Sequence, residues 1–215
     1  MTMDTTSSLP VKRPRGRPRS ESAREQILQA TLGLLEAGNL RDITAEAIAR
    51  KAGVSKATLY KWWPNKLHIA FDAFMARMSD EIVVPDTGSS ERDFLMAMRD
   101  AMSFYSSAAG RTLAQLIAEG QGDETFNQAL LESFLNQRRE AVATIWRRGV
   151  ERGDLRGDID MQMGLDLIYG PLMFRFLAGR FHMMNTEEAD KLISIVFRGI
   201  APAVQVTDHE VLIDA

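Results

Sequence analysis

The segment between Thr44 and Pro64 constrains the fold of this chain more than any other part of the sequence. Thr44 is a good N-cap for a short helix, and Gly53 ends that helix. Ser55 can cap a second short helix, which Pro64 ends. Two capped helices joined by a tight glycine turn form a helix-turn-helix, which we place at residues 44–63.

The rest of the chain has the apolar spacing of α-helices and no sustained strand alternation. A first helix is expected from Glu21, and Asn65 can cap a fourth. After a loop near residues 85–89, the pattern predicts further helices at about 90–107, 111–120, 123–152, 160–181 and 186–204. The predicted fold class is all-α, with a three-helix helix-turn-helix domain, a helical bundle after it and about nine helices in total.

Charge is divided unevenly along the chain. Residues 10–69 contain 12 Lys and Arg against 5 Asp and Glu, whereas residues 70–215 contain 14 against 23. A basic front and an acidic rear are expected when only one end meets phosphates. We therefore predict a disordered basic arm at residues 1–20, a DNA-binding domain at 21–82 and a second helical domain at 83–215.

The second helix of the motif has an outward face that is small, polar and basic. With Leu59 directed to the core at 100° per residue, Ala57 and Lys61 point outward. Trp62 and Trp63 fall on the core side, where we expect inter-helix packing. Such an outward face suits a helix that enters the major groove of DNA.

Side-chain chemistry predicts roles for the residues on this face. Lys56 and Lys61 can donate to guanine or meet phosphates, and Ala57 can approach a thymine methyl group. Thr44 and Ser55 stand at helix N-termini, where free N–H groups favour a phosphate. The alternative is that the two hydroxyl residues only cap their helices and the two lysines are only solvated.

The same run resembles the helix-turn-helix of the TetR family of transcriptional regulators, specifically over about residues 21–82 and in architecture beyond. The matching features are Thr44, the turn Ala52-Gly53-Val54-Ser55, the core Thr58-Leu59-Tyr60, the pair Trp62-Trp63 and Lys66. The resemblance implies that Thr44, Tyr60 and Lys66 contact the DNA backbone, with Thr58 beside them on the recognition helix. It also implies a homodimer that binds a palindromic site in double-stranded DNA, as a ligand-responsive repressor.

The basic arm carries a second resemblance. The run Arg15-Gly16-Arg17-Pro18, followed by Arg19, is similar to the core of an AT-hook, whose arginines enter the narrow minor groove of AT-rich DNA. The alternative is a solvated basic tail that adds non-specific affinity.

The segment Leu167–Leu177 resembles a helix of one C-terminal subfamily of TetR-like regulators. The helices at about 160–181 and 186–204 each carry two apolar stripes, so each needs two partners. We expect one partner to be the protein's own core and the other the same helices of a second subunit. Complete burial within the monomer is the alternative.

The resemblance further implies a pocket for a small effector, which we expect to be apolar or amphipathic, and no cofactor. Twelve methionines provide adaptable apolar side chains. Ordinary core packing is the alternative for each candidate. The candidates for ligand contact are Met75, Met78, Met102, Phe104, Trp146, Tyr169 and Met173.

Other classes of protein fit the sequence less well. His68, His182 and His209 are scattered without metal-ligand spacing, and no nucleophile or phosphate-loop motif is present, so an enzyme is not expected. No apolar run is long enough for a membrane span, and cysteine is absent, which fits a cytoplasmic protein. A non-regulatory DNA-architectural protein would share the arm and the motif, but does not need a large acidic rear domain.

Overall fold

The computed structural model describes residues 17–78 and 82–200, and within these ranges the regular structure is helical, which confirms the all-α prediction. A π-helical turn, Leu131–Leu135, joins the segments Glu124–Leu130 and Asn136–Arg152 into one continuous helix. The described residues therefore form nine separate helices, and the two segments of this one are labelled α7 and α8. The helices are α1 Arg17–Leu35, α2 Ala45–Ala52, α3 Lys56–Tyr60, α4 Lys66–Arg77, α5 Ser90–Ser106, α6 Ala108–Gly120, α7 Glu124–Leu130, α8 Asn136–Arg152, α9 Met161–Leu177 and α10 Thr186–Ile200.

The first four helices enclose a small core. Helix α1 packs against α2 and α4, and α3 packs against α2. Ile27, Ile48, Leu59 and Ile69 are fully buried between them. A short 3₁₀ turn, Leu40–Asp42, connects α1 to α2 and also contacts α6 of the second domain.

The remaining helices surround a second core that is continuous with the first. Helix α5 packs against α6, α8, α9 and α10. Phe94 of α5 lies between Trp146 of α8 and Phe197 of α10, with ring centroids 6.5 and 6.0 Å away. Because α4 packs directly against α6, the two domains share a packed boundary.

Two local features differ from the prediction. Helix α1 begins at Arg17, four residues before the expected start, and Pro18 fits there because proline is tolerated in the first helical turn. The long helix expected at 123–152 includes the π-helical turn, which apolar spacing does not reveal. The predicted helical residues 201–204 lie outside the described residues.

Helices α9 and α10 each bury one of their two predicted apolar stripes. Leu172 and Ile193 are buried in the core, whereas Leu167, Phe174 and Ile195 are more than half exposed. Complete burial within the monomer is therefore wrong, and an apolar surface remains on these helices. Within the part of the chain that the structure describes, no helix combines the length and the apolar character needed to cross a membrane.

The packing of α9 against α8 leads to a stability prediction. A methyl group added at Gly164 would overlap the Trp146 ring, so Gly164→Ala should lower the free energy of unfolding by about 1–3 kcal/mol. As a control, a methyl group at Gly33 of α1 meets only the end of the flexible Lys51 side chain. Gly33→Ala should be neutral or stabilising by up to about 1 kcal/mol. Urea denaturation measures both, and an equal effect at the two positions would refute the packing argument.

Candidate nucleic-acid interface and ligand cleft

Side-chain caps define the helix-turn-helix as the sequence predicts. Thr44 Oγ1 accepts a hydrogen bond from Ala47 N at 3.1 Å, and Ser55 Oγ accepts one from Thr58 N at 3.2 Å. Gly53 has a φ of 68°, the left-handed conformation that glycine adopts without strain. Because Thr44 accepts with its oxygen, its hydroxyl proton remains available to donate to an anion.

The outward face of α3 is open to solvent. Ala57 and Lys61 are exposed, and 53% of the Tyr60 surface is accessible. Thr58 is half-buried and its hydroxyl shares a 2.9 Å hydrogen bond with Ser55 Oγ. Leu59 is fully buried and holds the opposite side of the helix. The five-residue helix thus presents a small, basic and aromatic surface with a single apolar anchor.

The two tryptophans after α3 have different environments, and the expectation that both pack in the core is wrong for Trp62. Trp63 is 4% exposed, whereas Trp62 is 41% exposed. Helix α3 ends at Tyr60, and Trp62 N then donates to the Leu59 carbonyl, three residues back. Because the helix ends before Trp62, a rotation of 100° per residue no longer determines which way this side chain points.

Trp63 connects the end of α3 to α1 and α4. Trp63 Nε1 donates to Asp72 Oδ2 of α4 at 2.9 Å, and Arg24 of α1 donates to the same oxygen at 2.8 Å. The Arg24 guanidinium also lies 5.6 Å from the Trp63 ring centroid. One carboxylate therefore links α1, α4 and the end of the recognition helix.

Lys56 has an intramolecular partner in the structure. Its Nζ lies 2.6 Å from Glu46 Oε1 of α2, and both side chains are exposed. This hydrogen bond raises the pKa of Lys56 and lowers the pKa of Glu46. Lys56 can reach a phosphate or a base only after its contact with Glu46 breaks. Lys61 is exposed to solvent.

Lys66 points into the protein and not toward the outward face. Its Nζ donates to three backbone carbonyls of the 3₁₀ turn and the residue after it, at 3.2 Å from Leu40, 3.2 Å from Arg41 and 2.8 Å from Ile43. An ammonium group has three N–H donors, so this set uses all of them. Carbonyl groups at the end of a helical turn attract a cation, and the contact of Lys66 with the DNA backbone stays a prediction.

The predicted arm can be placed only in part. Arg15 lies outside the described residues, as do the side chains of Arg17 and Arg19, whose backbone belongs to the first turn of α1. The minor-groove role of these three arginines therefore stays a prediction.

Five hydrogen bonds between described residues cross the boundary between the two domains, and three of them are shorter than 3.3 Å. Leu40 N donates to Gln115 Oε1 of α6 at 2.7 Å, and Arg41 Nε donates to Glu119 Oε1 at 2.9 Å. Asn65 Nδ2 donates to Asp123 Oδ2 at 3.2 Å. The pKa of Asp123 is lowered, mainly by the hydrogen bond from Thr125. The 3₁₀ turn is consequently bonded to α4 on one side and to α6 on the other.

The seven candidate ligand residues do not form one site. Met102 and Trp146 are almost fully buried in the core, and Met75 and Met173 pack against it. Met78 and Phe104 line an open cleft. The Tyr169 hydroxyl is buried without a hydrogen-bond partner among the described residues.

The cleft that Met78 and Phe104 share lies at the boundary between the domains. Its volume is about 540 Å³, and its walls come from the end of α1, from α4, from the end of α5 and from α6. Apolar spacing does not reveal the α1 wall, because that wall depends on how the domains pack. Its apolar lining includes Leu32, Leu35, Phe74, Met78, Phe104 and Ala109.

A helix-turn-helix with an exposed basic recognition face, joined to a larger helical domain, defines a DNA-binding transcriptional regulator. The family model described as "Bacterial regulatory proteins, tetR family" matches residues 27–73, and "Tetracyclin repressor-like, C-terminal domain" matches residues 84–196. The chain belongs to the TetR family of transcriptional regulators. These proteins are not enzymes, which confirms the expectation that the chain is not one.

Individual relatives agree with this assignment. The transcriptional regulator YdeS of Bacillus subtilis is 36% identical over 186 residues, covering 86% of this chain and 93% of YdeS. The crystal structure of the TetR family regulator SCO0332 has a TM-score of 0.65 and 31% identity, covering 84% of this chain and 100% of that one. FadR of Bacillus subtilis, solved with stearoyl-CoA, shares the fold with a TM-score of 0.59 at 15% identity, covering 82% and 98% of the two chains.

Lys61 and Lys66 should respond differently to removal of their charge. Lys61→Met should reduce the slope of log affinity against log salt for duplex DNA by about 1 per subunit, because the DNA-facing surface loses a cation that displaces counterions. Lys66→Met should leave that slope unchanged but lower the free energy of unfolding by about 1–2 kcal/mol, since three carbonyls lose their donor. Salt titrations and urea denaturation test both variants. A reduced slope for Lys66→Met would place Lys66 on the DNA.

Proposed function

We propose that this chain is a ligand-responsive repressor that binds a palindromic DNA operator as a homodimer. The exposed basic face of α3 is the observation that carries the proposal. Residues 21–82 form the DNA-binding domain, and residues 83–215 form the effector and dimerisation domain. The arm at residues 1–20 adds affinity through Arg15, Arg17 and Arg19.

The recognition helix inserts into the major groove. Lys61 and Ala57 face base edges, and Lys56 joins them or meets a phosphate when its contact with Glu46 opens. Tyr60 and the neighbouring exposed Trp62 lie where α3 ends, in position to contact the sugar-phosphate backbone. Phosphate contacts set the register of the protein on DNA, while base contacts specify the sequence.

The hydroxyls of Thr44 and Ser55 bind phosphates at the two helix N-termini. Each accepts a backbone N–H within its own helix, and the Thr44 proton is free to donate outward. Thr58 supports Ser55 through their mutual hydrogen bond. A helix N-terminus with a free hydroxyl donor is favourable for a phosphate, since the peptide dipoles also attract negative charge.

Dimerisation uses the exposed apolar surface of α9 and α10. Leu167, Phe174 and Leu177 of α9 and Ile195 of α10 are each more than half exposed. Two copies of this helix pair form a four-helix bundle about a two-fold axis, which matches the symmetry of a palindromic site.

The effector acts at the boundary between the domains. The 540 Å³ cleft has walls from α1 and α4 of the DNA-binding domain and from α5 and α6 of the second domain. An apolar or amphipathic ligand that widens this cleft changes the angle of α4 and the spacing of the two recognition helices. Such coupling requires different effector affinities for the two spacings.

Selection of binding sites from random duplex DNA tests the proposed function. The wild-type protein should recover a palindromic site at near-physiological salt. Tyr60→Ala and Lys61→Ala should each weaken binding to that site by about tenfold or more, because one base or backbone contact is lost. Arg147→Ala, which removes an exposed cation of α8 paired with Glu140, is the control and should bind normally. Recovery of AT-rich sequence without symmetry would favour the alternative, a DNA-architectural protein held by its arm.

Phe174→Glu should separate the dimer. Placing an unpaired carboxylate inside the bundle should raise the dimer dissociation constant by about a hundredfold or more. Met96→Glu adds the same charge at an exposed apolar residue of α5, outside the proposed interface, and should leave the dimer intact. Sedimentation equilibrium distinguishes the two, and a dimeric Phe174→Glu protein would exclude α9 from the interface.

A further inference from the structure

Arg138 of α8 is a half-buried cation that has no carboxylate partner among residues 17–78 and 82–200. Its guanidinium carbon lies 3.6 Å from the Phe134 ring centroid and 5.5 Å from the Phe104 ring centroid. Its one hydrogen bond to a described residue goes to the Phe134 carbonyl, at 3.3 Å. Burial lowers the pKa of Arg138, and the opposing influence comes from Tyr105 and not from an acid. Four of the five guanidinium N–H donors are therefore open to another partner.

Tyr105 and Tyr169 provide two buried hydroxyl groups in the same part of the domain. Tyr105 lies on α5 and Tyr169 on α9, two helices that pack together. Both Tyr105 and Arg138 contact the Phe104 ring, with the Tyr105 ring centroid 5.1 Å and the Arg138 guanidinium carbon 5.5 Å from its centroid. The Tyr169 hydroxyl has no hydrogen-bond partner among the described residues. Burial raises the pKa of both tyrosines, so both are neutral donors at physiological pH.

Aromatic rings surround these polar groups. The Tyr105 ring lies 4.6 Å from Phe176 and 5.1 Å from Phe104, measured between centroids. Phe104 also lines the cleft at the domain boundary, so one residue belongs to both features. A cation and an unpaired hydroxyl inside apolar walls are complementary to a molecule with a negative group on an apolar body.

We propose that the effector is an organic acid whose anionic group binds the edge of Arg138 and the Tyr169 hydroxyl, while its apolar body extends along Phe104 into the cleft. This inference rests on the proposed effector response and specifies its chemistry. Arginine suits the role because its planar donors match the two oxygens of a carboxylate or a similar anion. The Phe134 ring covers one face of the guanidinium, and among the described residues the edge donates to the Phe134 carbonyl alone.

Two fluorescent probes with one carbon skeleton test the inference on the full chain. One is 1-anilinonaphthalene-8-sulfonate, and the other is the neutral N-phenyl-1-naphthylamine. The ratio of their dissociation constants, sulfonate over neutral probe, should rise about tenfold in Arg138→Met, which is the low end for loss of a charged hydrogen bond. Tyr169→Phe should raise the ratio by about threefold or more, and the affinity for the neutral probe should stay constant in both.

Arg139→Met is the matched control. Arg139 is the next residue on α8, but it pairs with Asp166 at 2.8 Å and also donates to Gln162. Removing it changes the net charge equally and should leave the ratio within about twofold of wild type. Arg138→Lys keeps the charge without the planar donors and should restore part of the sulfonate affinity.

The outcomes separate this inference from the proposed function. Three results would overturn the organic-acid inference. The ratio could be unchanged in Arg138→Met, it could shift equally in Arg138→Met and Arg139→Met, or the wild-type protein could fail to bind the sulfonate probe. Operator selection with the same preparations reports on the proposed function independently. Recovery of an operator with an unchanged ratio rejects the inference alone, whereas recovery of no operator rejects the proposed function whatever the ratio.

Discussion

The DNA-facing surface of this protein depends on how a five-residue helix is held in place. A helix of that length is not stable on its own, because forming its first turn costs more than its few hydrogen bonds return. Burial of Leu59 and Trp63 in the core of the first domain stabilises this short helix. Asp72 then receives hydrogen bonds from both Trp63 and Arg24, which fixes α3 relative to α1 and α4. Everything that α3 presents to DNA is positioned by these contacts on its inner side.

The same dependence extends across the domain boundary. Helix α4 carries Lys66 at its start, and Lys66 binds the carbonyls of the 3₁₀ turn whose amide at Leu40 bonds to Gln115 of α6. A displacement of α6 therefore reaches α4 through hydrogen bonds as well as through side-chain packing. The cleft lies beside this connection, and its walls belong to the helices that would have to move. This arrangement gives a physical route from an effector to the recognition helix.

Local sequence determined the parts of the structure that could be predicted from it. The caps at Thr44 and Ser55 and the glycine at residue 53 follow from short-range chemistry, and the structure confirms each of them. Apolar spacing likewise located the later helices and the half-exposed stripes of α9 and α10. These features depend on neighbours within a few residues, which the sequence displays directly.

The features that escaped prediction depend on contacts between distant residues. Trp62 turns outward because α3 ends early, and Lys66 turns inward because a 3₁₀ turn, some 25 residues earlier in the chain, offers it three carbonyls. The cleft exists only where α1 meets α6, and the solitary position of Arg138 is evident only once its surroundings are known. Helical periodicity assigns a residue to a face but cannot identify what lies opposite that face.

The unpaired groups around Arg138 also affect how stable the ligand-free protein can be. A buried hydroxyl without a partner costs about 1–3 kcal/mol, and a desolvated guanidinium without a counter-ion adds to that cost. A molecule that satisfied both groups would lower the energy of the folded state but not of the unfolded chain. Binding of the proposed effector would therefore raise the free energy of unfolding of the second domain, so ligand occupancy would be measurable as increased resistance to denaturation.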